Sequence, residues 1–358
     1  MEMADCKTRR LVVDSGRPDA SLIRAAGVAL REGGLVAFPT ETVYGLGANA
    51  LDARAVAGIY RAKGRPADNP LIVHIDSPRV LNRYIDQIPP VVWRLAARFW
   101  PGPLTLVLRG GGVFPPEVTG GLDTVAVRVP AHPVALALIR AAGVPVAAPS
   151  ANASGRPSPT TAAHVLDDLA GRIALVLDGG PSGLGVESTV LDLSGDGPVI
   201  LRPGGAIRQD LEEVLGPVEV DPAVNGNAVA GSRPRSPGMK YTHYAPRAPL
   251  VLFEGHDPGR VAAGILADAG RLAADGRRVG IFAYSETAPL YDGKGYSVVV
   301  AGNRHEPDSV AALLYASLRR FDRLGVDVIL AEGIAPDGLG MAVMNRLRRA
   351  AGGRVVTV

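Results

Sequence analysis

Arg128 ends an apolar run, Val125-Ala126-Val127. A guanidinium in that setting needs an anion beside it, because a buried unpaired charge is expensive. The anion is either the carboxylate of a ligand or an internal Asp or Glu. Within residues 62–70 stands the triplet Lys63-Gly64-Arg65. A compact ammonium beside a planar fork suits a polyphosphate, although a solvated loop uses the same residues. Residues 39–47 set Thr40 and Thr42 ahead of Gly45 and Gly47. Hydroxyls and bare backbone there suit a small polar ligand or an ordinary capped turn. Residues 148–160 contribute Ser150, Asn152 and Ser158 ahead of a helical pattern. That composition fits phosphate or ribose near a helix N-terminus. Ser188, within 185–189, and Arg202, within 201–204, lie in two further polar clusters at strand ends. So many polar clusters exceed what a fold requires, and an active site is the reading that uses them. His74 interrupts the apolar run 71–75, a position that more often holds a core histidine than a ligand.

No familiar motif assigns the chemistry outright. Walker A, a complete G-x-G-x-x-G, H-E-x-x-H and G-x-S-x-G are all missing, and the six histidines lack metal-ligand spacing. Cys6 is the sole cysteine, so a disulfide framework and a cysteine-rich zinc site are excluded. No metal held by protein ligands is expected.

Strands must position these clusters. Apolar runs at 35–38, 71–75, 105–108, 125–129, 144–148, 175–177 and 190–193 read as strands. Helices are expected over 20–32 and 53–61, where Asp19 and Asp52 can cap them, and over 133–142 and 162–169. This is an α/β domain with a twisted mixed sheet, residues 8–215. Residues 216–247, with Gly, Pro, Asn and Ser and few apolar residues, read as a linker. Strands at 250–253, 279–283, 297–300, 328–331 and 355–358, with helices at 258–274 and 307–324, then predict a smaller Rossmann-like domain with a parallel sheet over 248–358.

The 358 residues fit two domains, and 47% hydrophobic with 20% charged residues excludes a disordered chain. Aromatics at 5% argue against a platform of stacked rings for single-stranded nucleic acid. Lys and Arg total 38 and Asp and Glu 35, a surplus of +3 that is too small for an electrostatic footprint. Lysine occurs only at 7, 63, 240 and 294, so where it survives in an arginine-rich chain its compact charge matters. No apolar stretch approaches the ~18 residues of a membrane span and the N-terminus is polar, so a cytoplasmic protein without membrane contact is expected.

Taken in order, 39–47, 63–70, 100–105, 123–130, 148–152, 185–189 and 202–204 resemble the threonylcarbamoyl-adenylate synthases, the YrdC-type domain family. Residues 237–246 and the second domain resemble its long, two-domain branch. The resemblance implies an enzyme that takes L-threonine, bicarbonate and ATP and releases pyrophosphate and L-threonylcarbamoyl-adenylate. A separate transferase complex then moves the threonylcarbamoyl group to the adenosine beside the tRNA anticodon, and direct tRNA binding by this chain is expected to be weak. Carried over residue by residue, the resemblance sets L-threonine against Thr40, His74, Arg128, Ala148 and Ser188. It sets ATP against Lys63, Arg65, Asn69, Thr124, Ser150, Asn152, Ser158 and Arg202, and more loosely against Tyr241, His243 and Tyr244. Lys63 and Arg65 are then the catalytic pair that neutralises phosphate charge, and Mg²⁺ arrives with ATP. Residues 237–246 are expected to close over the site as a lid, or to dock the two domains. Two rival readings are a carbamoyltransferase of hydrogenase maturation and a non-enzymatic RNA-binding module. The chain lacks the zinc-finger and acylphosphatase-like modules of the first and the strong basic charge of the second.

Overall fold

The computed structural model of the chain describes residues 7–110, 112–225 and 244–358. They divide into two units, one running to Ser154 and from Ser158 onward through 225, the other comprising Gly155–Pro157 and the residues from 244 to Val358. Most of the segment expected as a lid, including Tyr241 and His243, lies outside the described residues. No described helix is long and apolar enough to cross a membrane.

The first unit is built on β1 (Arg9–Val12), β2 (Val36–Phe38), β3 (Gly45–Asn49), β4 (Ile72–His74), β5 (Leu104–Arg109), β6 (Thr124–Arg128), β7 (Val146–Ala147), β8 (Leu175–Asp178), β9 (Thr189–Asp192), β10 (Val199–Arg202) and β11 (Glu219–Val220). Their order in the sheet is β1-β8-β2-β3-β7-β4-β6-β5-β9-β10-β11. Pairing is mixed, as expected: β6 runs parallel to β4 and antiparallel to β5, and β5 runs parallel to β9.

Alternation along β6 creates the site. Val125 and Val127 enter the main core with Val73, Leu104, Leu106 and Leu108. Thr124, Ala126 and Arg128 therefore share the opposite face. There Ala126 joins Ile72, Val107, Val190 and Leu201 in a separate small apolar cluster. Burying each valine contributes on the order of 1.5–3 kcal/mol. A one-residue slip would send Arg128 into the main core, so the register is strongly held.

The helix Ala53–Lys63 starts at Asp52, whose carboxylate accepts from the N–H groups of Arg54 and Ala55. It ends at Gly64, in the left-handed region at φ 64°. It thus runs past the expected 53–61 and makes Lys63 its last residue. Gly45 and Gly47 differ from the sequence reading more sharply. They lie in β3, not in a ligand-binding loop or turn. A Cβ on Gly47 would stand 2.8 Å from Val146 Cγ1 and 2.9 Å from Phe38 Cε1. Glycine here makes room for Phe38.

The first unit continues beyond 215. β11 pairs with β10, and Val218, Ala223 and Val224 are buried. These apolar residues are too sparse to give a periodic signal, so 216–225 read as linker. Helices Pro90–Phe99, Arg208–Leu215 and Leu339–Ala351 were also not legible, and each begins without a capping side chain.

The second unit has five parallel strands, β12 (Leu250–Glu254), β13 (Val279–Ala283), β14 (Ser297–Val300), β15 (Val328–Glu332) and β16 (Val355–Thr357), ordered β14-β13-β15-β12-β16. This is the Rossmann-like layout expected. Glu332 at the end of β15 is fully buried and accepts from Thr287, Tyr291 and Arg304. Its charge is satisfied inside that unit.

Candidate active site

His74 and Arg128 are register partners at the carboxyl ends of β4 and β6. Both side chains are buried. Burial, with the Arg128 charge adding to it, pushes the His74 pKa down to about 3, so the ring is neutral at pH 7. Its Nδ1 lies 3.2 Å from the Ile72 carbonyl oxygen, and the ring meets Phe38 edge-on.

Arg128 has an internal anion. Its Nη2 donates to Glu41 Oε1 at 2.5 Å, Nη1 donates to Thr42 Oγ1 at 3.0 Å, and Nε donates to the Gly102 carbonyl at 3.1 Å. Glu41 is thus the internal acid that the sequence offered as one of two possible partners. Of the five guanidinium N–H groups, two keep no acceptor among the described residues.

Thr40 both closes a turn and faces this group. Its Oγ1 donates to the Val43 carbonyl at 2.6 Å and lies 2.7 Å from Thr42 Oγ1. The turn is pinned from outside, since Leu184 N–H donates to the Glu41 carbonyl and Gly185 N–H to that of Thr42. Ala148, the fourth residue expected to meet threonine, is buried, and its N–H donates to the Ile72 carbonyl.

Ser188 joins the two expected residue sets. Its Oγ lies 2.8 Å from Thr105 Oγ1. Arg202, expected on the ATP side, donates from Nε and Nη2 to the Ser188 carbonyl at 3.2 and 3.0 Å, and from Nη2 to Ser188 Oγ at 3.3 Å. Next to it, Ser158 Oγ donates to Glu187 Oε1 at 2.5 Å, and both side chains are buried.

Lys63 is buried at the end of its helix, which corrects its placement in a loop. Its Nζ donates to the carbonyls of Ser150 and Asn152 at 2.5 and 2.6 Å, and the Asn152 Oδ1 is at 3.4 Å. Ser150 Oγ donates to the same Oδ1 at 2.5 Å. Lys63, Ser150 and Asn152 are thus one cluster. Arg65 follows Gly64 and donates from Nη2 to the carbonyls of Asn69 and Pro70, both at 3.3 Å, shaping the loop into β4. Asn69 is fully buried, yet its Oδ1 and Nδ2 have no hydrogen-bond partner among the described residues. A buried amide in that state needs a polar partner, ordered water or a ligand.

Thr124 opens β6 on the Arg128 face, about 13 Å from it along the strand at 3.3 Å per residue. Tyr244 belongs to the second unit, where its ring lies 5.4 Å from that of Tyr315 and under the Arg346 guanidinium.

Glu41, Thr105 and Glu187 went unassigned in the sequence. Each sits inside a motif that was singled out, but only the fold supplies its partner. Among the described residues no group of three or more His, Cys, Asp or Glu can hold a metal ion.

A mixed sheet whose inner strands carry this cluster defines the class: residues 28–204 match the family model of Sua5, YciO and YrdC, described as telomere recombination. Residues 207–352 match the model of the threonylcarbamoyl-AMP synthase C-terminal domain. The chain belongs to the threonylcarbamoyl-AMP synthase family. It is 51% identical to the threonylcarbamoyl-AMP synthase of Bacillus subtilis (strain 168), over 98% of this chain and 99% of that one. It is also 51% identical to that of Pyrococcus abyssi, over 94% of this chain and 96% of the relative. The crystal structure of P. abyssi Sua5 complexed with L-threonine superposes with a TM-score of 0.92 at 50% identity, covering 98% of this chain and all of that one.

Proposed function

We propose that this chain makes L-threonylcarbamoyl-AMP and pyrophosphate from L-threonine, bicarbonate and MgATP on the Thr124–Arg128 face of the first unit. The observation that carries the reading is the Ser188–Arg202 clamp, which ties the threonine residues to the ATP residues at one point. The close relationship to whole-chain synthases supports the same reading.

The amine of threonine attacks the carbon of bicarbonate. A carbamate forms, and water leaves with the hydroxyl and an amine proton. The carbamate oxygen then attacks the α-phosphorus of ATP, and pyrophosphate departs. The chain supplies position and charge for these steps, not a covalent nucleophile. Arg128 offers its remaining N–H groups to the threonine carboxylate. Thr40, neutral His74 and Ser188 line the amino acid, and Ala148 closes the pocket beside His74. The buried Lys63 ammonium, oriented by two carbonyls, holds positive charge beside Ser150 and Asn152 where phosphates lie. Arg65 and Asn69 meet the nucleotide from the loop into β4, and Thr124 and Ser158 bound it. The metal belongs to the substrate as MgATP. The product's threonylcarbamoyl group passes to a separate transferase and then to the adenosine beside the tRNA anticodon.

Pyrophosphate release tests this. It requires L-threonine and bicarbonate together. Release with a preformed carbamoyl donor in place of L-threonine and bicarbonate contradicts the reading and favours a carbamoyl-transfer enzyme.

A further inference from the structure

We propose that Glu41 binds the α-ammonium group of the amino-acid substrate, so that Glu41 and Arg128 together read both charges of a zwitterion. The proposal rests on the threonine-site reading above and adds a residue to it.

Glu41 stands between Thr40 and Thr42, with its carbonyl pinned by the Leu184 N–H. Its two carboxylate oxygens differ. Oε1 lies 2.5 Å from Arg128 Nη2, whereas Oε2 is buried and has no hydrogen-bond partner among the described residues. A carboxylate oxygen shut away from water without a donor is costly to keep. The Arg128 side chain is 4% exposed and that of Glu41 is 20% exposed, so the acid forms the open side of the pair. No lysine or other arginine donates to Oε2 among the described residues.

An α-amino acid carries an anion and a cation on one carbon. Arg128 retains two N–H groups for the anion, and Glu41 Oε2 retains its acceptor capacity for the cation. The adjacent guanidinium and carboxylate match the adjacent charges of the ligand. Before ligand arrives, each keeps the other partly satisfied through the Oε1 contact. Amino acids are then selected over hydroxy acids of the same shape by a charge contact, in addition to any selection made through the threonine hydroxyl.

The test compares binding of L-threonine with binding of (2S,3R)-2,3-dihydroxybutyrate, which carries a hydroxyl in place of the ammonium group. Calorimetry is run on the full chain and on Glu41→Gln, with thermal unfolding as the folding control. The full chain should prefer threonine by roughly 10- to 100-fold, the range of a charge-assisted hydrogen bond. Glu41→Gln should lose most of that preference, with affinity for the hydroxy acid close to that of the full chain. If Glu41 serves only to hold Arg128, both ligands weaken together and the preference persists, which overturns the proposal alone. Failure of the full chain to bind threonine overturns the threonine-site reading and the proposal with it. Should Glu41→Gln not fold, Glu41→Asp keeps the charge but withdraws it. That variant should weaken threonine more than the hydroxy acid, and an unchanged preference again overturns the proposal.

Discussion

Arg202 grips Ser188 by both its carbonyl and its hydroxyl, and the Thr105 hydroxyl shares a hydrogen bond with the same Ser188 hydroxyl. Ser188 therefore cannot turn toward or away from a ligand without breaking a buried contact. Thr105→Val removes one partner while keeping the shape. Threonine affinity should fall by about 0.5–1.5 kcal/mol, the net worth of a neutral hydrogen bond. ATP affinity should stay where it was. Calorimetric titration with each ligand separately checks this, and a loss confined to ATP would contradict the placement of Ser188.

Arg128→Ala should weaken threonine more than ATP. Losing a charge-assisted contact should cost on the order of 1.5–3 kcal/mol in threonine binding. The variant also strands Glu41, so a lower unfolding midpoint accompanies the binding loss. Threonine binding that matches the unaltered chain would remove Arg128 from the site.

Lys63→Ala should do two things, because Lys63 is a buried helix terminus and not a loop residue. Pyrophosphate release should drop sharply. Stability should also fall, since the carbonyls of Ser150 and Asn152 lose their donor, by about 1–3 kcal/mol for buried groups left unsatisfied. Arg65→Ala, in the more open loop, should lose activity with a smaller stability change. Denaturant titrations beside activity assays separate the two effects, and an active Lys63→Ala enzyme would contradict the role given to the ammonium.

The buried His74 makes stability depend on pH. Its folded pKa of about 3 lies below the ordinary 6.5, so the folded chain binds fewer protons than the unfolded one between those values. Stability from this residue is full above about 6.5 and declines as pH falls toward 3. His132, shifted in the same direction by burial, adds to the trend. His74→Gln should flatten the decline in unfolding free energy across this window, and an unchanged slope would show that the ring titrates normally.

Valine is nearly isosteric with threonine and lacks its hydroxyl. A pocket that hydrogen-bonds that hydroxyl through Thr40, His74 or Ser188 leaves polar groups unpaired when valine binds, and such discrimination reaches ~10⁴–10⁵-fold. Turnover of valine at a rate near that of threonine would contradict a hydroxyl-reading pocket.

The sequence pointed to most of the proposed site because its polar residues interrupt strongly patterned strands. Arg128 was legible as a charge demanding a partner, but the partner, Glu41, lies 87 positions away and no local pattern points to it. Thr105 was hidden for the same reason, since its role depends on β5 lying beside β9. Gly45 and Gly47 were misread because a glycine that makes room for an aromatic ring has the same sequence signature as one that approaches a ligand. Lys63 was placed outside its helix because Gly64, the residue that ends the helix, was read as part of a loop. The second unit's parallel sheet was plain from strand–helix alternation alone.

In the proposed site one face of the sheet brings L-threonine and ATP together, with Arg128 at the amino-acid end and Ser188–Arg202 at the junction. A crystal structure with L-threonine and a non-hydrolysable ATP analogue tests it most directly. The threonine carboxylate should lie within about 3 Å of the Arg128 guanidinium, a hydrogen-bond distance. The amine should sit on Glu41 and the α-phosphate beside Ser188 and Arg202. Threonine bound away from Arg128, or a nucleotide whose α-phosphate lies out of reach of the amino acid, would contradict it.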